Sequence, residues 1–186
     1  MKIIKRSLLM ILLLTAVGIL FRGWIYRHSL SYKAVGMRTT YPARNKIFTQ
    51  YIDSCIDHQN EPDIKHIIKL ALSITSEKLN YTANKNDNDP NKLITTQKAH
   101  CVGYAAFFTT TCNYLLAKNN LSNQWTAKPR IGQLYFLGTN VHPYFHSSFF
   151  KNHDFVTIEN NKTGEIFAVD PTVKDYLSID FISLTK

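Results

Sequence analysis

The chain has 186 residues, of which 45% are hydrophobic, so it is long and apolar enough for one domain with a packed core and is not a disordered chain. The formal net charge is +9, but five basic residues and no acidic residue lie in residues 1–30, which leaves +4 for the rest of the chain. This small excess, without a basic helix or an RNA-binding motif, argues against nucleic acid as a partner.

Residues 1–28 have the composition of a membrane segment. Three basic residues precede Ser7–Phe21, an uncharged apolar run, and an interfacial Trp and Tyr follow it. This pattern is typical of a signal peptide or of a short membrane anchor. A small-residue cleavage site exists at 16–18, but the apolar run continues beyond it, so we favour an uncleaved signal-anchor that contacts the membrane through residues 7–26. We expect the domain to lie outside the cytoplasm, or to be secreted if the segment is cleaved. A buried core helix is the remaining alternative.

The rest of the chain divides into a short connection and one domain. Residues 29–41 show no clear periodicity and are predicted as a linker, and residues 42–186 are predicted as the domain. Apolar residues at helical i, i+4 spacing predict one helix that begins at Pro42 and a second from Pro62 to Leu79.

The middle of the domain is predicted to contain a loop, a buried helix and a strand. Residues 82–97 are polar and rich in Asn, which predicts a loop, and their spacing does not fit an EF-hand calcium site. Cys101–Lys118 is apolar nearly all round, which predicts a helix in the centre of the domain. Arg130–Leu137 alternates between two faces and predicts a strand. No Cys or His spacing indicates zinc, so no metal site is expected.

The stretch 152–172 predicts a β-hairpin. Residues 153–159 alternate and are rich in β-branched and aromatic side chains, 160–163 form a polar turn, and 164–170 form the return strand, which Pro171 ends. A further short strand is predicted near the end of the chain, within Tyr176–Leu184.

The register of this hairpin predicts a histidine–carboxylate pair. If Glu159 faces Gly164 across a four-residue loop, His153 faces Asp170 on the opposite strand. Directly opposed side chains have Cβ atoms about 5 Å apart on one face of a sheet, which is hydrogen-bonding reach for an imidazole and a carboxylate. A slip of one residue would send the two side chains to opposite faces.

Cys101 is the candidate nucleophile. It begins the predicted central helix, and the positive end of a helix macrodipole favours a nearby negative charge such as a thiolate. A thiolate beside a histidine that a third group orients is the arrangement for covalent acyl transfer. His142 and His146 are alternative bases, but His153 is preferred because it alone has a register partner, Asp170.

These motifs resemble those of the transglutaminase-like superfamily of papain-type Cys-His-Asp proteins. Cys101–Ala105 resembles the nucleophile helix, His153–Val156 the histidine strand and Val169–Thr172 the aspartate strand, in the same chain order as in the family. The resemblance covers residues 62–173. It implies an α+β fold in which a central Cys-bearing helix packs on an antiparallel sheet, and the order of the predicted elements favours the same class.

The resemblance also implies an activity. The catalytic residues would be Cys101, His153 and Asp170, without a metal or an organic cofactor, and the substrate would be an amide bond of a peptide or protein. The acyl group would pass to water, in a protease or amidase, or to an amine, in a crosslinking enzyme. The oxyanion would meet the Cys101 backbone N–H and a second donor, for which Gln97 and His100 are both open.

Two departures from the family pattern keep other hypotheses open. Many family members have Gly where Ala99 stands, and Trp is commoner where Phe155 stands. The alternative function is therefore a catalytically inactive, membrane-tethered binding or scaffolding module of the same fold. A third hypothesis is a membrane-bound interaction protein of unrelated fold, in which the alignment of His153 with Asp170 is a coincidence.

The other two cysteines have two interpretations. In an oxidising compartment Cys55 and Cys112 could form a disulfide and leave Cys101 free. We expect instead that both are thiols packed in the core, where a free Cys behaves as a small hydrophobic side chain.

Overall fold

The computed structural model describes residues 2–56, 63–84, 86–146 and 152–185, and these form an α+β architecture, as predicted. The helices are α1 (Lys2–Leu20), α2 (Arg22–Ser29), α3 (Lys46–Ser54), α4 (Ile64–Lys78), α5 (Pro90–Thr96), α6 (Cys101–Lys118) and α7 (Pro171–Leu177). The strands are β1 (Leu30–Met37), β2 (Asn80–Tyr81), β3 (Lys98–Ala99), β4 (Trp125–Phe136), β5 (Thr139–Asn140), β6 (His153–Asn160), β7 (Ile166–Val169) and β8 (Ser183–Leu184).

The main sheet has the strand order β7-β6-β4-β1-β8, and β5 pairs with the end of β4. Its pairs are antiparallel except for β1 with β8, while β2 and β3 form a separate parallel pair. Helix α6 packs on β4 and β6 and is flanked by α4. Its bounds agree with the predicted helix, and its large side chains such as Tyr104, Phe107 and Leu115 are fully buried, as an apolar surface on all sides requires.

The prediction of a linker over residues 29–41 is wrong for its greater part, because residues 30–37 form β1 inside the sheet. The strand gives no alternating sequence pattern for two reasons. Tyr32 is its only buried residue, and its register with β4 shifts between Ala34 and Gly36. Such an irregularity breaks the period of two by which a strand is recognised.

The predicted loop over residues 82–97 contains a short helix, α5. The Asp89 carboxylate accepts a hydrogen bond from the Asn91 backbone N–H, and Pro90 occupies the first turn, where its missing N–H costs nothing. Only Leu93 and Ile94 follow as buried apolar residues before the helix ends, so the sequence pattern is too short to indicate a helix.

The first two predicted helices exist but begin later than expected. Helix α3 starts at Lys46, after the Asn45 side chain caps it, rather than at Pro42. Helix α4 starts after Asp63, whose carboxylate accepts from the His66 N–H, while Pro62 lies outside the described residues. In both cases a side-chain cap fixes the start, and the proline does not.

The predicted hairpin forms, but its register is shifted. Val156 pairs with Val169, so each residue of β6 faces a partner two positions further along than predicted. The cause is the turn, in which the Asn160 side chain accepts from two backbone N–H groups and the chain closes with Asn160 N–H donating to Glu165. A shift of two keeps every side chain on its predicted face.

The chain after β7 also differs from the prediction. Asp170 is not a strand residue but the N-cap of α7, and Pro171 begins this helix. The strand predicted within Tyr176–Leu184 is therefore limited to β8. An Asp-Pro pair that ends a strand is also a suitable helix start, and the sequence did not distinguish the two.

The N-terminal segment forms two helices with a bend of 71° between Ile4–Leu20 and Arg22–Ser29. By length and composition, no single helix in the described ranges qualifies as a membrane span, whereas this bent pair does. The large apolar side chains of α1 are exposed, from 42% for Val17 to 77% for Leu20. Helix α2 is fixed to the domain, because the Arg22 Nε donates to the Leu177 carbonyl at 2.7 Å.

Candidate active site

A buried histidine–aspartate pair lies where β6 begins and β7 ends. The Nε2 atom of His153 is 2.5 Å from Oδ2 of Asp170, and both side chains have an exposed fraction of 0%. The pair arises although the two residues are not in register, because Asp170 lies just beyond the last ladder pair and turns its carboxylate back toward the start of β6.

Cys101 completes the cluster from a third element. It is the first residue of α6, and it interacts electrostatically with His153. Because Nε2 of His153 is bonded to Asp170, Nδ1 is the ring nitrogen that could exchange a proton with Cys101. Cys101 is partly exposed, whereas His153 and Asp170 are buried, so Cys101 is the member of the cluster that is open to solvent.

The electrostatics of the pair favour the charged forms of both groups. Burial acts to lower the pKa of His153, but the Asp170 carboxylate and Cys101 outweigh it and raise this pKa to about 10. Burial acts to raise the pKa of Asp170, but the His153 charge and hydrogen bonds from Thr172 and Tyr32 outweigh it and lower this pKa. The site therefore holds an imidazolium between two groups that can carry negative charge.

The Asp170 carboxylate is held from several sides. Its Oδ1 accepts from the Thr172 hydroxyl at 2.5 Å and from the backbone N–H groups of Thr172 and Val173 at 3.0 and 3.3 Å. Its Oδ2 accepts from the Tyr32 hydroxyl at 2.9 Å in addition to His153. A carboxylate with this many donors has a fixed orientation and stays ionised.

The hydrogen-bond chain continues outward to α2. The Tyr26 and Tyr32 hydroxyl oxygens are 2.5 Å apart. Tyr32 has a single proton, which it donates to Asp170, so Tyr26 must be the donor to Tyr32. Burial, followed by the nearby Asp170 charge, raises the pKa of both tyrosines, which keeps both hydroxyls protonated. Neither tyrosine was predicted to belong to the site, because Tyr26 lies in the stretch assigned to the anchor and Tyr32 in the stretch assigned to the linker.

The Phe155 ring packs against two residues next to the site, Gly132 and Tyr32. A Cβ added to Gly132 would lie 2.6 Å from the Phe155 ring, so the absence of a side chain at Gly132 makes room for that ring. Gly132 is the ladder partner of His153, and the Phe155 ring lies 5.3 Å from the ring of Tyr32. A glycine within a strand is the signal that could have indicated this close packing.

The alternative bases and the two candidate oxyanion donors lie at different places. His142 belongs to a 3-10 turn at His142–Tyr144 in the loop after β5, and His146 follows it, so it is His153 that the fold places beside Asp170. His100 caps α6 through Nδ1, which accepts from the Val102 N–H at 3.3 Å.

His100 is the candidate donor that directly precedes Cys101 in the sequence. Burial lowers the pKa of His100, so its ring is neutral, and because Nδ1 accepts a hydrogen bond, the proton is on Nε2. Gln97 ends α5 in a left-handed conformation with φ of 58°.

A cavity of about 410 Å³ opens next to the cluster. Its lining is mostly apolar and consists of Tyr81, Thr172, Val173, Tyr176 and Leu177. The cavity adjoins the cluster through Thr172, whose hydroxyl donates to Asp170. Burial, followed by the Cys101 charge, raises the pKa of Tyr81, another residue of the lining. The rings of Tyr81 and Tyr176 meet edge to face with centroids 5.8 Å apart.

Cys55 and Cys112 are free thiols in the structure. Burial raises the pKa of Cys112 to about 12, so this thiol is not reactive near neutral pH. Within the described ranges there is no group of three or more His, Cys, Asp or Glu residues that could hold a metal ion. Comparisons with protein-family models, with curated proteins and with solved structures found no match.

Proposed function

We propose that this chain is a membrane-anchored, transglutaminase-like thiol enzyme that uses Cys101, His153 and Asp170 for acyl transfer to or from an amide bond. The observation that carries the proposal is the fully buried His153–Asp170 pair, at 2.5 Å, beside a partly exposed cysteine at a helix N-terminus. A base, its orienting carboxylate and a reachable nucleophile are the three parts that nucleophilic catalysis needs.

The chemistry follows from the order of the three groups. The Cys101 thiolate attacks the substrate carbonyl carbon, and the C–N bond of the tetrahedral intermediate breaks as the His153 imidazolium donates its proton to the leaving amine. The resulting thioester is then attacked by water or by an amine, and His153 takes the proton of this second nucleophile. The C–S bond breaks, which releases the acyl product and restores the Cys101 thiolate and the His153 imidazolium. Asp170 remains ionised throughout and keeps the imidazole in one orientation.

The negative oxygen of the intermediate would lie at the start of α6. The Cys101 backbone N–H is one donor, and the macrodipole of this 18-residue helix favours the charge. His100 is our candidate for the second donor, because it is adjacent to Cys101 and its neutral ring carries the proton on Nε2. Gln97 remains the competing candidate.

The substrate is proposed to be a peptide or protein with an apolar side chain near the bond that is broken. The cavity lined by Tyr81, Val173 and Tyr176 offers apolar and aromatic surface next to Thr172, which binds Asp170. Aromatic walls of this kind bind apolar side chains through burial of surface.

The anchor is the second part of the proposal. Helix α1 exposes apolar side chains along its whole length, which is costly in water and favourable in a bilayer. We place the catalytic domain on the side of the membrane away from the cytoplasm, held close to the surface by α2. This side remains a proposal that protease protection in sealed vesicles can test.

The experiment that tests the enzyme is the rate of iodoacetamide labelling of Cys101 in the detergent-solubilised full chain near neutral pH. Peptide mass spectrometry separates Cys101 from Cys55, a partly exposed thiol in the same molecule that serves as the internal control. We expect Cys101 to label much faster than Cys55, and His153→Ala and Asp170→Asn to remove this advantage. Equal rates that do not depend on His153 would contradict the enzyme and favour the inactive binding module.

A further inference from the structure

A second cavity, of about 370 Å³, lies between the start of α2 and the segment that joins α7 to β8. Three cationic side chains line it, Arg22 and Arg27 from α2 and Lys69 from α4, and all three residues are exposed. The cavity is distinct from the candidate active site, because none of its lining residues belongs to the Cys101 cluster.

The positive charge in this cavity is not compensated by the protein. In the part of the chain that the structure describes, none of the three cations forms an ion pair with a carboxylate. The acidic lining residue, Asp180, is already paired with Lys174 at 2.6 Å. The cavity therefore offers an excess of donors and positive charge to an anion.

One of the cations is held in place before any ligand arrives. The Arg22 Nε donates to the Leu177 carbonyl at 2.7 Å, and its Nη1 donates to the Ile19 carbonyl at 3.0 Å. A guanidinium fixed by two backbone carbonyls still has N–H groups for a further acceptor, and it loses little side-chain entropy on binding.

The position of the cavity selects among anions. Leu20, Phe21 and Trp24, which end α1 and begin α2, form its apolar rim. Helix α1 exposes apolar side chains up to Leu20, and the chain then bends by 71° into α2. With the apolar part of α1 in the bilayer, α2 would therefore lie along the membrane surface, and the cavity would lie at the depth of the lipid headgroups, where a Trp ring also prefers to be.

We propose that this cavity binds the phosphate of an anionic phospholipid headgroup in the leaflet where α1 ends. The three cations bind the phosphate, and Leu20 and Phe21 contact the acyl chains of the same lipid. Inorganic phosphate has the same charge chemistry but cannot use the apolar rim. The inference rests on the membrane anchor of the proposed function and is independent of catalysis by Cys101.

The test uses the full chain in nanodiscs of phosphatidylcholine with a minority of phosphatidylglycerol, followed by native mass spectrometry of the lipids that remain bound. The variant is Arg27→Gln with Lys69→Gln. The matched control is Arg44→Gln with Lys65→Gln, which removes the same charge from exposed positions outside the cavity. We expect the wild type and the control to retain phosphatidylglycerol, and the cavity variant to lose roughly 10- to 30-fold in retention, as two surface cations imply.

Other outcomes would overturn the proposal. Equal losses of phosphatidylglycerol retention in the two double variants would mean that the whole positive surface attracts the lipid diffusely. Unchanged retention in the cavity variant would mean that these cations bind no lipid. If inorganic phosphate displaces the lipid and itself changes Trp24 fluorescence in micelles without phosphatidylglycerol, the ligand is free phosphate. The single variant Lys69→Gln should give a smaller loss of the same kind, which guards against misfolding of the double variant.

Failure of the underlying proposal is visible in the same samples. A chain that does not co-elute with nanodiscs would contradict both the anchor and the lipid site. Labelling of Cys101 in these samples reports on the enzyme separately, because the cavity variant leaves the Cys101 cluster untouched.

Discussion

The Tyr32 hydroxyl donates a hydrogen bond of 2.9 Å to Oδ2 of Asp170, the same oxygen that binds His153. Tyr32 is fully buried in β1, a central strand of the sheet. The orientation of the candidate catalytic carboxylate therefore depends on a strand that precedes the nucleophile by about 70 positions in the sequence. Tyr26 extends this dependence to α2.

Replacement of Tyr32 by Phe should weaken both the fold and the site. The change removes a donor to Asp170 and leaves the Tyr26 hydroxyl without its buried acceptor, which costs about 1–3 kcal/mol of unfolding free energy. We expect slower labelling of Cys101 as well, because Asp170 gains freedom to turn away from His153. Urea unfolding and iodoacetamide labelling measure the two effects. Tyr26→Phe removes only the outer hydrogen bond and should have a smaller effect on both, whereas an effect as large as that of Tyr32→Phe would contradict the proposed order of donors.

The stability should depend on pH through the His153–Asp170 pair. The pKa of His153 is raised from 6.5 to about 10, so the contribution from His153 protonation is fully present below about pH 6.5 and is lost as the pH rises through about 10. The pKa of Asp170 is lowered, so its contribution is present above its ordinary pKa of 3.8 and is lost as the pH falls. Unfolding free energies measured across this range should fall at both ends.

The variant His153→Ala isolates this pair from the other ionisable groups. Glu159 also has a lowered pKa, about 2, because hydrogen bonds from Lys128 and Thr157 and the neighbouring Arg130 outweigh burial. Its contribution is lost only in acid, so the decline between about pH 6.5 and 10 should flatten in His153→Ala while the acid decline persists. A decline at alkaline pH that is the same in both proteins would assign it to other groups.

The contact between Gly132 and Phe155 predicts a large effect of a single methyl group. A Cβ at Gly132 would lie 2.6 Å from the Phe155 ring and 3.0 Å from the His153 carbonyl oxygen, and neither neighbour can move without disturbing the sheet. We expect Gly132→Ala to lower the unfolding free energy by about 1–3 kcal/mol, as overpacking does, and to slow Cys101 labelling. Gly36→Ala in β1 is the control, since it would meet only the flexible end of Ile131 at 3.3 Å. Similar losses in the two variants would argue that backbone entropy, rather than this contact, is responsible.

Two truncations should separate the proposed membrane anchor, α1, from the part of the N-terminus that supports the candidate site. A chain that begins at Phe21 lacks α1 but keeps Arg22 on the Leu177 carbonyl and Tyr26 on Tyr32. A chain that begins at Leu30 loses both contacts. We expect the first chain to be more soluble without detergent than the full chain and to label at Cys101 at the same rate. We expect the second chain to lose about 1 kcal/mol or more of unfolding free energy and to label more slowly. Equal labelling in the two truncations would show that α2 has no part in positioning Asp170.

The sequence predicted the candidate site better than it predicted the elements that support it. The helix from Cys101 to Lys118 was placed correctly because an apolar surface on all sides has few other interpretations. The pairing of His153 with Asp170 was predicted from a register that is off by two. The pair forms nevertheless, because Asp170 lies just beyond the last ladder pair, as the cap of α7, and turns its carboxylate toward the start of β6. Strand β1 and helix α7 were missed, since a strand with one buried residue and a helix of seven residues leave almost no periodic signal.

Sequence patterns of this kind do not predict contacts between distant positions. The residues around Tyr26 and Tyr32 do not indicate that the two hydroxyls form a series of hydrogen bonds that ends at Asp170. The role of Gly132 depends on which ring lies across from it, and the cationic cavity is formed from segments that only the tertiary fold joins.

The pairing of β1 with β8 sets an order of events during synthesis. Ser31 and Thr185, whose hydroxyls are 3.0 Å apart, are separated by 154 positions, so β1 leaves the ribosome long before its partner strand. Helix α6 and Cys101 are therefore also made before β6, α7 and β8 complete the fold. The His153–Asp170 pair, which Tyr32 of β1 contacts, forms only when these late elements close on the earliest strand. The candidate site is thus a product of the last folding steps, and a partly made chain does not contain it.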